Sequence, residues 1–193
     1  MRRAIRVEGG NGGALTVARV FGMAAGVVGS VLILTGLLLA PARADEEPAH
    51  IKLSSGAIGL LPAGRDKAGY FGFEYRGGPD LDFWHIRPSL GVGLTMDASV
   101  YGYTALNLDL YFGPRLVLTP SVGIGLYGTG SGQDLGSVVE FRNGVELAWR
   151  FDNYSRAGLG FHYLSNFGIG NSDPGTSTLT VFYAHPLGSI LPP

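Results

Sequence analysis

From residue 50 onward, apolar and polar side chains alternate with a period of two in one stretch after another. Successive side chains of a strand point to opposite faces of a sheet, so this periodicity predicts strands rather than helices. Eight such segments follow one another, at about 50–61, 69–76, 82–94, 99–112, 115–127, 137–151, 154–166 and 177–187. The fourth is the clearest. Val100, Thr104, Leu106, Leu108, Leu110 and Phe112 alternate with Ser99, Tyr101, Tyr103, Asn107, Asp109 and Tyr111. In the sixth, Val139, Phe141, Val145, Leu147, Trp149 and Phe151 share one face, and Glu140, Arg142, Glu146 and Arg150 share the other.

Which face looks outward decides the class. A soluble barrel fills its interior with the apolar set, whereas a membrane barrel turns that set to lipid and packs the polar set inside. Several features favour the second arrangement. The segments are long enough for tilted strands to cross a bilayer. Aromatic residues gather near segment ends (Tyr70, Tyr75, Trp84, Tyr111, Phe112, Trp149, Phe151, Tyr154), as interfacial belts require. Gly113-Pro114 and Asp152-Asn153 read as tight turns, while 128–136 and 167–176 read as longer loops. The expected fold is therefore an all-β, eight-stranded antiparallel transmembrane barrel. Both termini and the tight turns are expected in the periplasm, with the longer loops outside. Eight strands leave an interior just filled by side chains. Glu140, Arg142, Glu146 and Arg150, together with Arg87, Asp109 and Arg156, are expected to form a mutually paired lumenal plug.

The first 44 residues stand apart. Arg2, Arg3, Arg6 and Arg19 precede or border an apolar run from Val20 to Ala40, and Ala42-Arg43-Ala44 supplies small residues before the acidic Asp45-Glu46-Glu47. This is the pattern of a secretory signal peptide, residues 1–44, with the barrel at 45–193. The rival reading is a retained membrane helix, because about twenty apolar residues would span a bilayer.

Composition narrows the chemistry. The chain has no cysteine, which excludes a disulfide framework, a thiol nucleophile and a thiolate metal site. Its formal net charge is −1 and the barrel part has no basic stretch, so nucleic acid is not an expected partner. The 32 glycines are spread through the strands, which suits a small, strongly curved barrel better than a sandwich. His50, His85 and His185 show no ligand spacing and read as interfacial or lumenal hydrogen-bonding groups.

One polar feature interrupts the apolar pattern, although an interfacial serine without any role is also common. Segment 154–166 carries Leu159, Phe161 and Tyr163 on one face and then ends that stripe with Ser165, followed by Asn166. Ser177 occupies the equivalent end of the last segment. A serine at the lipid-facing edge could reach an ester of an outer-leaflet lipid. Here HYLSN followed by FGIGNSDPGTSTLTVFYAHPL resembles the carboxy-terminal signature of the lipid A 3-O-deacylases (PagL-type), outer-membrane barrels with acyloxyacyl-hydrolase-like relatives. The resemblance implies a hydrolase acting on lipid A of lipopolysaccharide, with no metal or cofactor. It implies Ser165 as nucleophile and Asn166 as a contributor to the oxyanion hole, following the usual logic of an activated hydroxyl and aimed donors.

Two positions depart from the family pattern. Tyr163 stands where the resemblance places the histidine base, and His162 lies one residue earlier. Ser177 stands where it places the acidic residue that orients that base. An offset of one residue sends a side chain to the opposite face, so His162 serves only if a bulge re-aims it; a tyrosine with an ordinary pKa near 10 is a poor base at neutral pH. Asp173, in the loop before the last strand, substitutes for the missing carboxylate only if that loop folds back. The alternative is an inactive barrel with a structural, lipid-binding or surface-binding role.

Overall fold

A computed structural model describes residues 47–62, 67–77 and 86–187. The expected signal peptide at 1–44 lies outside these residues, as do Trp84 and His85. Eight antiparallel strands are present: β1 (His50–Ile58), β2 (Ala68–Arg76), β3 (Ile86–Thr95), β4 (Val100–Leu108, continuing as Leu110–Phe112), β5 (Leu116–Gly128), β6 (Val139–Arg150), β7 (Arg156–Ser165) and β8 (Thr176–Pro186). The two parts of β4 belong to one strand, because the register against β5 resumes in step after Asp109: Asn107 faces Ser121 and Leu110 faces Leu118. Each strand pairs with its neighbour in sequence, and β1 pairs with β8 from His50–Pro186 to Ile58–Thr178. The sheet is thus a closed barrel with no free edge, the condition for a sheet in hydrocarbon.

The inverted pattern is plain in the side chains. Leu53, Phe73, Leu90, Leu106, Ile124, Leu147, Leu159 and Val181 are exposed on the outside. Lys52, Glu74, Arg76, Arg87, Asp109, Glu146 and Arg156 are buried within. Towards the rim that carries the first and last strand ends, Arg156 pairs with Glu47 and Asp109, both at 2.8 Å, and Arg87 with Asp109 at 3.3 Å. Midway, Glu146 receives Lys52 and Arg76, and Glu74 holds the same two cations at 2.9 and 2.7 Å. The paired set differs from the expected one: Glu47, Lys52, Glu74 and Arg76 join it and Arg150 enters through Glu47, whereas among the described residues Glu140 accepts from Asn166 and Arg142 lies against Tyr103, neither of them in an ion pair. Towards the opposite rim the filling turns aromatic: Tyr101, Tyr103, Tyr127 and Leu164 cluster with Leu135, which the β5–β6 loop tucks into the barrel mouth. Arg142 lies over the Tyr103 ring at 4.5 Å, a cation–π contact within that layer.

Some details differ from the sequence expectation. Tyr70 and Tyr111 do not belong to an outer belt: Tyr70 is buried inside, and the Tyr111 hydroxyl accepts from Arg156 at 2.9 Å. Tyr75, Phe112, Trp149 and Phe151 do form an exposed girdle near the terminal rim. The third strand begins at Ile86 rather than 82. The far rim is not uniformly long-looped, because β3 and β4 are joined by a tight turn at 96–99. Ala98 takes φ +61° there, and Ser99 Oγ donates to Asp97 Oδ1 at 3.0 Å. The Thr95 hydroxyl, also bonded to Asp97, holds that carboxyl below its ordinary range.

Candidate active site

The register of β6, β7 and β8 positions every residue singled out at this edge. Pairing of β7 with β6 runs one for one from Arg156–Arg150 to Ser165–Phe141, and with β8 from Arg156–Ala184 to Leu164–Thr176. There is no bulge near Tyr163. His162 therefore keeps its lumenal parity, and its buried ring has Nε2 3.4 Å from Glu146 Oε1, without hydrogen-bonding alignment. Gly144, directly across from it, leaves room for that ring: a Cβ there would lie 2.0 Å from His162 Cδ2. The bulge that would carry His162 to the serine's face is absent, and the histidine belongs to the lumenal network.

Ser165 shares outward parity with Leu159 and Tyr163, at the loop-bearing end of β7. Its hydroxyl donates to Asp173 Oδ2 at 2.8 Å. The β7–β8 loop does fold back. Phe167 (φ +52°) and Gly168 (φ +78°) reverse the chain. Both lie in the left-handed region, which a phenylalanine seldom enters. Ile169 N–H then donates to Asn166 O at 3.0 Å. Asn166 N–H donates to Asp173 Oδ1 at 3.2 Å, and Phe167 N–H to Ser165 Oγ at 3.1 Å. On the β6 side the Phe141 and Phe167 rings meet at 5.0 Å between centroids and wall the recess. The serine is consequently only 6% exposed, although it stands on the lipid-facing side.

Asn166 is fully buried with its side chain turned inward, one residue out of phase with the serine. Its Nδ2 donates to Leu135 O and Ser172 O, both at 2.8 Å, and Oδ1 accepts from Gly168 N–H at 2.9 Å. The amide side chain expected at an oxyanion is thus occupied as a clamp between two loops. The groups that Asn166 and its neighbour present on the serine's side are backbone N–H donors.

Tyr163 and Ser177 face each other directly across β7 and β8. Tyr163 passes over Gly175, where φ is +58° and an added Cβ would lie 2.0 Å from the phenol oxygen. Both the left-handed backbone and the close approach require glycine there. Ser177 is fully buried although its parity is outward, because the β1–β2 loop laps over it: Leu61 N–H donates to Ser177 Oγ at 2.8 Å and Gly59 N–H to Ser177 O at 2.9 Å. Ser177 thus anchors a loop and presents no carboxylate to the site.

The structure brings together Ser165, Tyr163, the Asn166 backbone and Asp173, and leaves His162 on the other side of the sheet. Asp173 is the site residue that alternation could not assign, since it sits in an irregular loop. Its sequence signal was the Asp-Pro-Gly turn eight residues after the serine. Among the described residues no group of acidic and histidine side chains could hold a metal. An apolar groove of about 610 Å³ opens elsewhere on the outward face, between Leu53, Phe71, Phe73 and Val181, and does not touch Ser165.

A family model described as lipid A 3-O-deacylase (PagL) matches residues 69–186. The fold is similar to the crystal structure of the outer membrane enzyme PagL, with a TM-score of 0.57 and 18% identity, covering 71% of this chain and 99% of that one. Smaller likenesses are to a de novo designed transmembrane β-barrel (TM-score 0.48, 11% identity, 75% of this chain and 98% of that one) and to the Yersinia pestis outer membrane protein Ail (TM-score 0.42, 15% identity, 72% and 99%). No curated protein matches. With a family match over more than half of its length and the corresponding closed barrel, the chain belongs to the lipid A 3-O-deacylase (PagL) family of outer-membrane β-barrel proteins.

Proposed function

We propose that the protein is an outer-membrane serine esterase that removes an ester-linked acyl chain from lipid A, with residues 1–44 as the cleaved signal peptide that directs export. The observation that carries this reading is a hydroxyl, Ser165 Oγ, on the outward face of the barrel at its loop-bearing rim, below which that face is apolar. With the termini in the periplasm, that rim meets the outer leaflet at the level of the lipid A acyl esters. Ser165 Oγ attacks the ester carbonyl; the bond to the sugar oxygen breaks, leaving an acyl-serine that water then hydrolyses. The N–H groups of Asn166 and Phe167 on the serine's side are bonded to Asp173 Oδ1 and Ser165 Oγ, so the developing oxyanion falls to other amides of the β7–β8 loop. Ser177 acts by holding the β1–β2 loop, and Tyr163 forms the neighbouring wall.

Lipid A from cells expressing the wild-type chain should lose the mass of one hydroxyacyl group, and Ser165→Ala should restore the full mass while the barrel still assembles. Unchanged lipid A beside well-folded wild-type protein would sink the proposal. A second reading has its own observation: no imidazole faces Ser165 among the described residues, and Tyr163 and Ser177 stand where the family pattern has base and acid. On that reading the scaffold is retained for a structural, lipid-binding or surface-binding role, and both proteins leave lipid A untouched.

A further inference from the structure

We infer that Asp173 is the general base for Ser165, so that a serine–aspartate pair does the work that the family assigns to a histidine. The inference rests on the reading of Ser165 as nucleophile and supplies the proton acceptor which that reading lacks. Three contacts carry it. Ser165 Oγ–H is already directed at Asp173 Oδ2 at 2.8 Å. That separation is within the reach required of a base. Asn166 N–H at 3.2 Å from Oδ1 fixes the rotation of the carboxylate. Phe167 N–H at 3.1 Å from Oγ fixes the hydroxyl itself.

The loop that delivers Asp173 is tied down just ahead of it. Asn166 Nδ2 holds Ser172 O, and Asn171 N–H donates to Gly136 O at 3.2 Å. Asp173 is exposed, so water can reach it for the second half of the cycle. The competing groups are worse placed or worse suited. His162 lies across the sheet, and the phenol of Tyr163 carries its proton at neutral pH in the ordinary case.

Every proton in the cycle passes between the two residues, the substrate and water. As Ser165 Oγ bonds to the ester carbonyl carbon, its proton passes to Asp173 Oδ2 and the carbonyl π electrons move to oxygen. Collapse of that oxyanion expels the sugar oxygen, which takes the proton back from Asp173. In the second half, water gives a proton to Asp173 as it attacks the acyl-serine, and Ser165 Oγ recovers that proton as the fatty acid leaves. A carboxylate is a weaker base than an imidazole, so slower turnover than a histidine-based site is expected.

The test uses the full chain folded in detergent micelles, with a fluorophosphonate probe that labels activated serines and purified lipid A as substrate. Heat-modified gel mobility checks that each variant is folded. Asp173→Asn should slow both labelling of Ser165 and lipid A cleavage by roughly a hundredfold or more, in line with the loss of a general base. Asp173→Glu should recover part of the loss, and Tyr163→Phe should lose less than Asp173→Asn. His162→Gln should stay close to wild type, far from the roughly hundredfold loss expected of a group that transfers a proton. The wild-type rate should show no limb centred near pH 6.5, the ordinary histidine value. Folded Asp173→Asn that labels like wild type overturns the inference, as does an equal loss in Tyr163→Phe, a histidine-like limb abolished by His162→Gln, or a wild-type serine that does not label. Labelling that depends on Asp173 while lipid A stays intact leaves the pair standing and removes lipid A as the substrate.

Discussion

The two faces of the β7–β8 pair, one residue apart in phase, differ in almost every physical respect. Inward, His162, Thr178 and Thr180 adjoin a lumen in which Glu146 is shared by Lys52 and Arg76, with Glu74 closing the set. Water is nearly excluded there, and the charges answer one another. Outward, the same strands offer lipid a run of apolar side chains and then, at the rim, the hydroxyls of Tyr163, Ser165 and Ser177, of which that of Ser165 is held by the exposed Asp173 carboxylate. The lumen fixes the backbone on which the rim stands, and the rim carries the chemistry. A period-two element can do both at once because a side chain's neighbours are set by parity rather than by closeness in sequence.

If that division is right, damage to the lumen should show as instability and damage to the rim as lost chemistry. The largest stability effect is expected from Glu146→Ala. It strips one shared anion from Lys52 and Arg76, both buried. Removing one partner of such a pair costs about 3–5 kcal/mol. Urea titration of the folded barrel in lipid vesicles would read it, and ester cleavage per folded molecule should remain. A loss of cleavage at full stability would break the comparison.

Gly144→Ala comes next. The new Cβ would meet the His162 ring at 2.0 Å. That ring is held in a packed lumen, so overpacking of about 1–3 kcal/mol is expected. The same titration would show it, and pairing with His162→Ala should recover part of the loss. Absence of any recovery would mean that His162 is not the group in the way.

A smaller and more local effect is expected at the clamp. Asn166→Ala leaves Leu135 O and Ser172 O without their donor. The cost of such unsatisfied groups is about 1–3 kcal/mol. Here the two regions meet, since Leu135 corks the mouth and Ser172 precedes Asp173. Amide hydrogen exchange should rise in 129–138 and 166–175 together. A rise in only one of the loops would show that Asn166 does not couple them.

The parts of this molecule that alternation could reveal are those governed by parity. The strands, the outward Leu and Val stripes and the lumenal Glu146, Arg87 and Asp109 all followed from it. So did the placement of His162 away from Ser165, given a ladder without a bulge. What alternation could not reveal lies where the chain leaves the ladder. Asp173 reaches Ser165 through left-handed residues at 167 and 168, and no period describes that path. Asn166 was read for its amide and is spent as a clamp, because the residue after the strand turns inward as the loop begins. Tyr70 sits near a strand end and still faces the lumen, since proximity to a rim does not fix a face.

The smallest expected stability effect belongs to the residue with the largest proposed chemical one. Ser165→Ala removes one hydroxyl and its bond to Asp173. The carboxylate it leaves behind is exposed and still receives Asn166 N–H, so water can replace the lost donor. The cost should stay within about 1 kcal/mol, the net worth of one ordinary hydrogen bond. The urea midpoint should therefore barely move while acyl release stops. A large stability loss in this variant would mean that the serine–aspartate contact is a loop fastener, comparable to Asn166, and the rim would then resemble the lumen it is contrasted with.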